Sequence, residues 1–108
     1  MSITIHIRYQ GEGDHARRFA EEMEQTGVAR RIREEEGNEG YDYFIPMRDD
    51  GSVLLIDSWR DQAALDAHHD SPMMAQIIAL REKYGLHMTV KRFVSESVPD
   101  RDRTFIRP

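Results

Sequence analysis

Cysteine is absent from the 108 residues, which removes a disulfide framework, a thiolate metal site and a cysteine nucleophile, and fits a reducing compartment. Positive charge is in deficit: 15 Lys and Arg face 20 Asp and Glu, for a formal net charge of -5. Sequence-independent binding to phosphates needs a basic stripe, so a nucleic-acid partner and an anionic membrane surface are not expected. The one basic cluster, Arg30, Arg31 and Arg33, runs straight into Glu34, Glu35 and Glu36. No apolar run approaches the roughly 20 residues that cross a bilayer, and the first residues show no basic stretch leading into an apolar one. The expected location is the cytoplasm. Phosphate-binding glycine patterns are also missing, because Gly11-Glu12-Gly13 is too short and too acidic to cradle a phosphate. No serine stands in a Gly-x-Ser-x-Gly elbow, which argues against that route to nucleophilic hydrolysis.

What remains is a chain with 39% hydrophobic and 32% charged residues, enough for a single domain with a modest core. Ile3, Ile5, Ile7 and Tyr9 alternate with Thr4, His6 and Arg8, the period of a strand with one apolar face. After a turn that ends on Asp14, a residue able to cap a helix, a helix is expected from about His15 to Glu36, with Gly27 as a point of breakage. A second strand over Tyr41 to Met47, weakened by Pro46, should form a hairpin through Asp49-Asp50-Gly51 with a third over Ser52 to Trp59. Asp61 should cap a short helix to about Asp70. Pro72 should open another, with Met73, Met74, Ile77, Ile78 and Leu80 on a broad apolar face. Leu86 to Ser95 returns to alternation as a fourth strand.

That order is the split βαβ pattern of an α+β, ferredoxin-like subunit with an antiparallel sheet. Residues 1–96 make the domain, and 97–108 a C-terminal extension. Phe105 and Ile106 would be free in solution there or would anchor in a groove, such as one on a second subunit. Val53 to Ile56 is apolar on both faces. Helices cover one side of the sheet, so a partner subunit's sheet is the economical cover for the other, and a homodimer is expected.

The residues with chemistry gather after the third strand. Asp57 and Trp59 share a face at its end, and His68 and His69 follow on the next helix. Adjacent helical histidines point about 100° apart, so the pair is poorly placed to share a metal ion, and no metal is expected. The alternative reading makes Trp59 a core residue and His68 a half-buried, satisfied histidine.

The stretch Val53-Leu54-Leu55-Ile56-Asp57-Ser58-Trp59, with Ala64-Leu65-Asp66-Ala67-His68 and Ser71-Pro72 after it, resembles the antibiotic biosynthesis monooxygenase family in its quinol monooxygenase branch. The resemblance reaches to about Val94. It implies a dimeric α+β barrel and oxygenation of a quinol or phenolic small molecule by O2 as co-substrate, with no cofactor. Other functions on the same scaffold are an isomerase-type enzyme or a non-catalytic ligand-binding dimer. Two departures stand out. Met73 occupies a position where relatives often carry a second histidine, and the asparagine and haem-ligating histidine of the haem-degrading branch are lacking. On this reading His68 is the base, Trp59 an aromatic wall and Asp57 the group that orients His68. His69, His6, Arg8, Tyr43, Met73 and Arg92 are the further candidate contacts to substrate.

Overall fold

A computed structural model describes residues 2–108. β1 (Ile3–Gln10), α1 (His15–Gln25), α2 (Val28–Arg33), β2 (Asn38–Phe44), β3 (Val53–Trp59), α3 (Gln62–His69), α4 (Met73–Lys83), β4 (His87–Val94) and α5 (Asp100–Arg103) follow in chain order. The four strands form one sheet in the order β2-β3-β1-β4, every neighbouring pair antiparallel. This is the α+β, ferredoxin-like arrangement expected from the alternation of elements. No helix among the described residues is long and apolar enough to cross a membrane.

The single helix expected over 15–36 is two. Gly27 adopts φ +83°, a left-handed conformation that closes α1 and opens α2 at a new angle. Both helices then face the sheet, burying Phe19, Met23, Val28 and Ile32. Asp14 precedes α1, but its side chain makes no capping hydrogen bond, whereas Asp61 accepts from the Ala64 N–H at 2.9 Å as expected. β2 lies three residues earlier than the alternation suggested. It is an edge strand that ends before Pro46, which has no N–H to give a ladder. The Asp49-Asp50-Gly51 turn belongs to a longer loop in which Asp49 accepts from the Gly51 N–H and Asp50 from the Ser52 N–H.

The face of α4 is narrower than its composition suggests. Ile77 is buried, Met73, Met74 and Leu80 are partly so, and Ile78 is exposed. The strand register explains where the core stops. Ile3, Ile5, Ile7 and Tyr9 pair with Trp59, Asp57, Leu55 and Val53, and all of these look toward the helices. Met88, Val90, Arg92 and Val94 share that face on β4, yet every residue of β4 is exposed, because the helices cover β2, β3 and β1 and stop short of the fourth strand. The segment beyond β4 is exposed throughout. Phe105 is 87% exposed and finds no groove on its own chain.

Candidate active site

Where the helices leave β4 uncovered, a cavity of about 350 Å³ opens between the sheet and α3 and α4. Ile5, Ile7, Leu55, Leu65 and Ile77 form its apolar wall, with Met88 and Val90 at its rim. His68, His69, Asp57, Tyr41, Arg81 and Arg92 supply its polar groups. A mostly apolar concavity with a few convergent polar groups is the form that binding sites for small organic molecules take.

His68 is held on three sides. It is only 5% exposed, its ring stacks on the Trp59 indole with centroids 4.8 Å apart and planes 23° apart, and Nδ1 lies 2.9 Å from Glu35 Oε1. A carboxylate accepts at that distance, so in the neutral imidazole Nδ1 carries the proton and Nε2 the lone pair. Among the described residues Nε2 has no hydrogen-bond partner. Glu35 reaches His68 from the turn after α2. The acidic run there fans out, with Glu34 to Arg30 at 3.9 Å, Glu35 to His68, and Glu36 to Arg60 at 3.8 Å. Arg33 turns away from that run, placing Nε 2.8 Å from the Tyr41 carbonyl and ion-pairing with Glu24.

Beneath the imidazole, Trp59 Nε1 donates to Asp57 Oδ2 at 2.7 Å. The other carboxylate oxygen, Oδ1, is buried in the cavity wall without a protein partner. Burial pushes the Asp57 carboxyl above its ordinary value, against the Trp59 hydrogen bond and the nearby His68 and His69. Burial also pushes the Tyr41 hydroxyl up, so that group stays protonated at neutral pH and is no candidate base.

The Asp57 shift has a stability consequence. The folded protein holds this proton to higher pH than the unfolded chain does, so stability falls as pH rises from the ordinary carboxyl value through the raised one, and the deficit persists above it. Asp57→Asn keeps an oxygen for Trp59 and loses the charge. It is expected to raise stability near pH 7 by about 0.5–2 kcal/mol and to remove that part of the pH dependence, which urea unfolding at pH 4 and pH 7 would show. A less stable variant at pH 7 would contradict the account.

Of the residues singled out in the sequence, His68, Asp57, His69 and Arg92 do line the cavity. Trp59 does not. It is 0% exposed with His68 lying across its face, so it is the platform for the imidazole rather than a wall for substrate. Asp57 does not orient His68, since it bonds Trp59 and Glu35 has the imidazole. His6 and Arg8 alternate with Ile5 and Ile7 and so project from the opposite face of the sheet, His6 against Phe93 at 4.6 Å and Arg8 against Asp50 at 2.7 Å. Tyr43 lies outside the cavity wall, with its hydroxyl 3.3 Å from that of Tyr41, and Met73 packs on the core while its neighbour Met74 reaches the wall. Sequence reasoning missed Glu35, Tyr41 and Arg81. A carboxylate in a charged run beside a turn glycine carries no local mark of its partner 33 residues away. Among the described residues no cluster of three or more His, Asp or Glu is placed to hold a metal ion.

Fold and cavity together define a small α+β protein with a histidine–carboxylate pair at an apolar pocket. The family description "antibiotic biosynthesis monooxygenase" fits residues 2–80, and the chain belongs to that family. YcnE of Bacillus subtilis (strain 168), described as a candidate monooxygenase, is 27% identical over 56 residues, 52% of this chain. The match spans 59% of the length of that relative. Among solved structures, a Deinococcus radiodurans protein described as a candidate antibiotic biosynthesis monooxygenase superposes with a TM-score of 0.76 at 18% identity, covering 93% of this chain and 97% of that one. SnoaB of Streptomyces nogalater, described as a cofactor-independent oxygenase, gives 0.73 at 15% identity, over 92% and 97%. At these identities the structures establish a shared fold.

Proposed function

We propose that this protein is a monooxygenase that oxidises a phenolic or quinol-type aromatic with O2 and without a cofactor. The observation that carries the reading is the His68–Glu35 pair, with Nε2 unpartnered at the edge of a mostly apolar cavity. His68 takes the hydroxyl proton of the substrate, and the resulting anion gives one electron to O2. The radical pair joins at a ring carbon ortho or para to that oxygen, forming a C–O bond. The proton on His68 returns to the peroxide. Loss of the ring proton then breaks the O–O bond, leaving a quinone carbonyl and releasing the second oxygen atom as water. The substrate supplies all four electrons, so the balance needs no external reductant.

Labelled oxygen tests this directly. With 18O2 and a panel of naphthols, naphthohydroquinones and anthrone, the expected result is one 18O atom in the product ring and one in water. Simple autoxidation, which leaves the label in hydrogen peroxide, would sink the proposal.

A homodimer is also proposed. The sheet face away from the helices carries Leu54, Ile56, Phe44 and Phe93, the last two 49% and 45% exposed. A second copy of that face is the cover we favour. Light scattering should give twice the mass of the chain, and Ile56→Arg should return it to one. A monomeric wild-type protein would rule the dimer out.

A further inference from the structure

The histidine–carboxylate pair occupies one end of the cavity, and two arginines, Arg81 and Arg92, are among the remaining polar groups of its wall. Arg81 follows Ile77 by one helical turn on α4, on the face that looks into the cavity. Its guanidinium is held from below, with Nε 3.3 Å and Nη2 2.9 Å from the hydroxyl of the buried Tyr9 and the carbon centre 5.5 Å from that ring. Arg92 stands at the rim on β4, in the same row as Ile5 and Asp57. Neither arginine has a carboxylate within 4 Å among the described residues, in a chain where acids outnumber bases.

We propose that Arg81 binds an anionic group of the carboxylate class on the aromatic substrate; the inference rests on the cavity being the substrate site. Two of the five N–H donors of Arg81 engage the Tyr9 oxygen, and three remain for a ligand. Tyr9 is neutral as well as buried, so it orients the guanidinium without cancelling its charge. A planar, oriented fork beside apolar walls is matched by a carboxylate, which accepts two parallel hydrogen bonds. Spacing narrows the ligand further. Asp57 stands opposite Ile5, and Arg81 is anchored at Tyr9, four residues along the same strand, about 13 Å at strand rise. A fused-ring hydroxyaryl acid, with its hydroxyl at the His68 end and its carboxylate at the Arg81 end, spans the pocket in the way those groups require.

Calorimetric titration under nitrogen, where no turnover occurs, separates this site from the chemistry. The probes are 6-hydroxy-2-naphthoic acid and 2-naphthol, which differ only by the carboxylate. The acid should bind the wild-type protein roughly tenfold tighter or more, as a charge-assisted bidentate pair implies. The advantage should shrink with added salt, disappear in Arg81→Gln and partly survive in Arg81→Lys. Equal affinities in the wild-type protein, or a preference that survives both salt and Arg81→Gln, would overturn the assignment. If Arg81→Gln does not fold, the salt series on the wild-type protein decides. Tight binding of the acid with no 18O incorporation would remove the oxygenase reading and keep the anion site. Oxygenation of 2-naphthol with the KM of the acid would do the reverse.

Discussion

Replacing His68 with Gln is expected to slow substrate-dependent oxygen uptake by about 10²–10⁴-fold, the range over which a positioned general base contributes. Gln can fill much of the imidazole's place above Trp59, yet it has no lone-pair nitrogen to take a proton. Binding of a non-reacting aromatic should persist within a few-fold, because Ile5, Leu55 and Ile77 still line the cavity. The effect therefore belongs in kcat and not in KM. Glu35→Gln is the finer probe. The amide oxygen can still accept from Nδ1, so a loss of roughly tenfold is expected, smaller than the loss from removing the imidazole. The 15N shifts of His68 should report a mixed tautomer in that variant and a single one in the wild-type protein. Unchanged oxygen uptake in His68→Gln would leave the cavity without its base.

How far this site was legible in the sequence depends on how local each contact is. Asp57 and Trp59 are two residues apart on one strand, and alternation alone places both on the helix-covered face. His68 lies four residues beyond Ala64, which the Asp61 cap fixes at the start of α3, so its face could be read as well. Depth could not. Whether Trp59 looks into the cavity or lies under His68 depends on how closely α3 settles on β3, a packing outcome that no spacing rule reports. The opposite-face positions of His6 and Arg8 are implicit in the same alternation that makes Ile3, Ile5, Ile7 and Tyr9 a core stripe. Their chemistry suits a site, but the period that places Ile5 inside places them outside. The pairing of Glu35 with His68 joins the turn after α2 to helix α3, 33 residues further along the chain.

The meeting of that turn with α3 hinges on one missing methyl group, and Gly37→Ala should cost about 2–6 kcal/mol. Gly37 has φ +82°, where an L side chain is strained by about 1–3 kcal/mol. A Cβ built there would also land within the van der Waals envelope of the Ala64 Cβ on α3, adding about 1–3 kcal/mol of overpacking. Backbone contact is as close, since the Arg60 N–H donates to the Gly37 carbonyl at 2.8 Å. Ala64 and His68 share a face of α3, one turn apart, and Glu35 and Gly37 share the turn that rests on it. The bare α-carbon at 37 thus lets the Glu35 carboxylate come within 2.9 Å of the imidazole. Gly37→Ala is expected to lower Tm by roughly 10 °C or more and to reduce oxygen uptake in the molecules still folded, because pushing the turn off α3 takes Glu35 with it. Gly37→Asn separates the two costs. Asn tolerates a left-handed φ but carries the same Cβ, so it should remain unstable if the clash with Ala64 dominates. Ala64→Gly, by removing that neighbour, should then restore part of the stability and the activity of Gly37→Ala, a coupling that a double-mutant cycle reads as non-additivity. Additive losses in that cycle would mean that the turn and the helix are joined by something other than this contact.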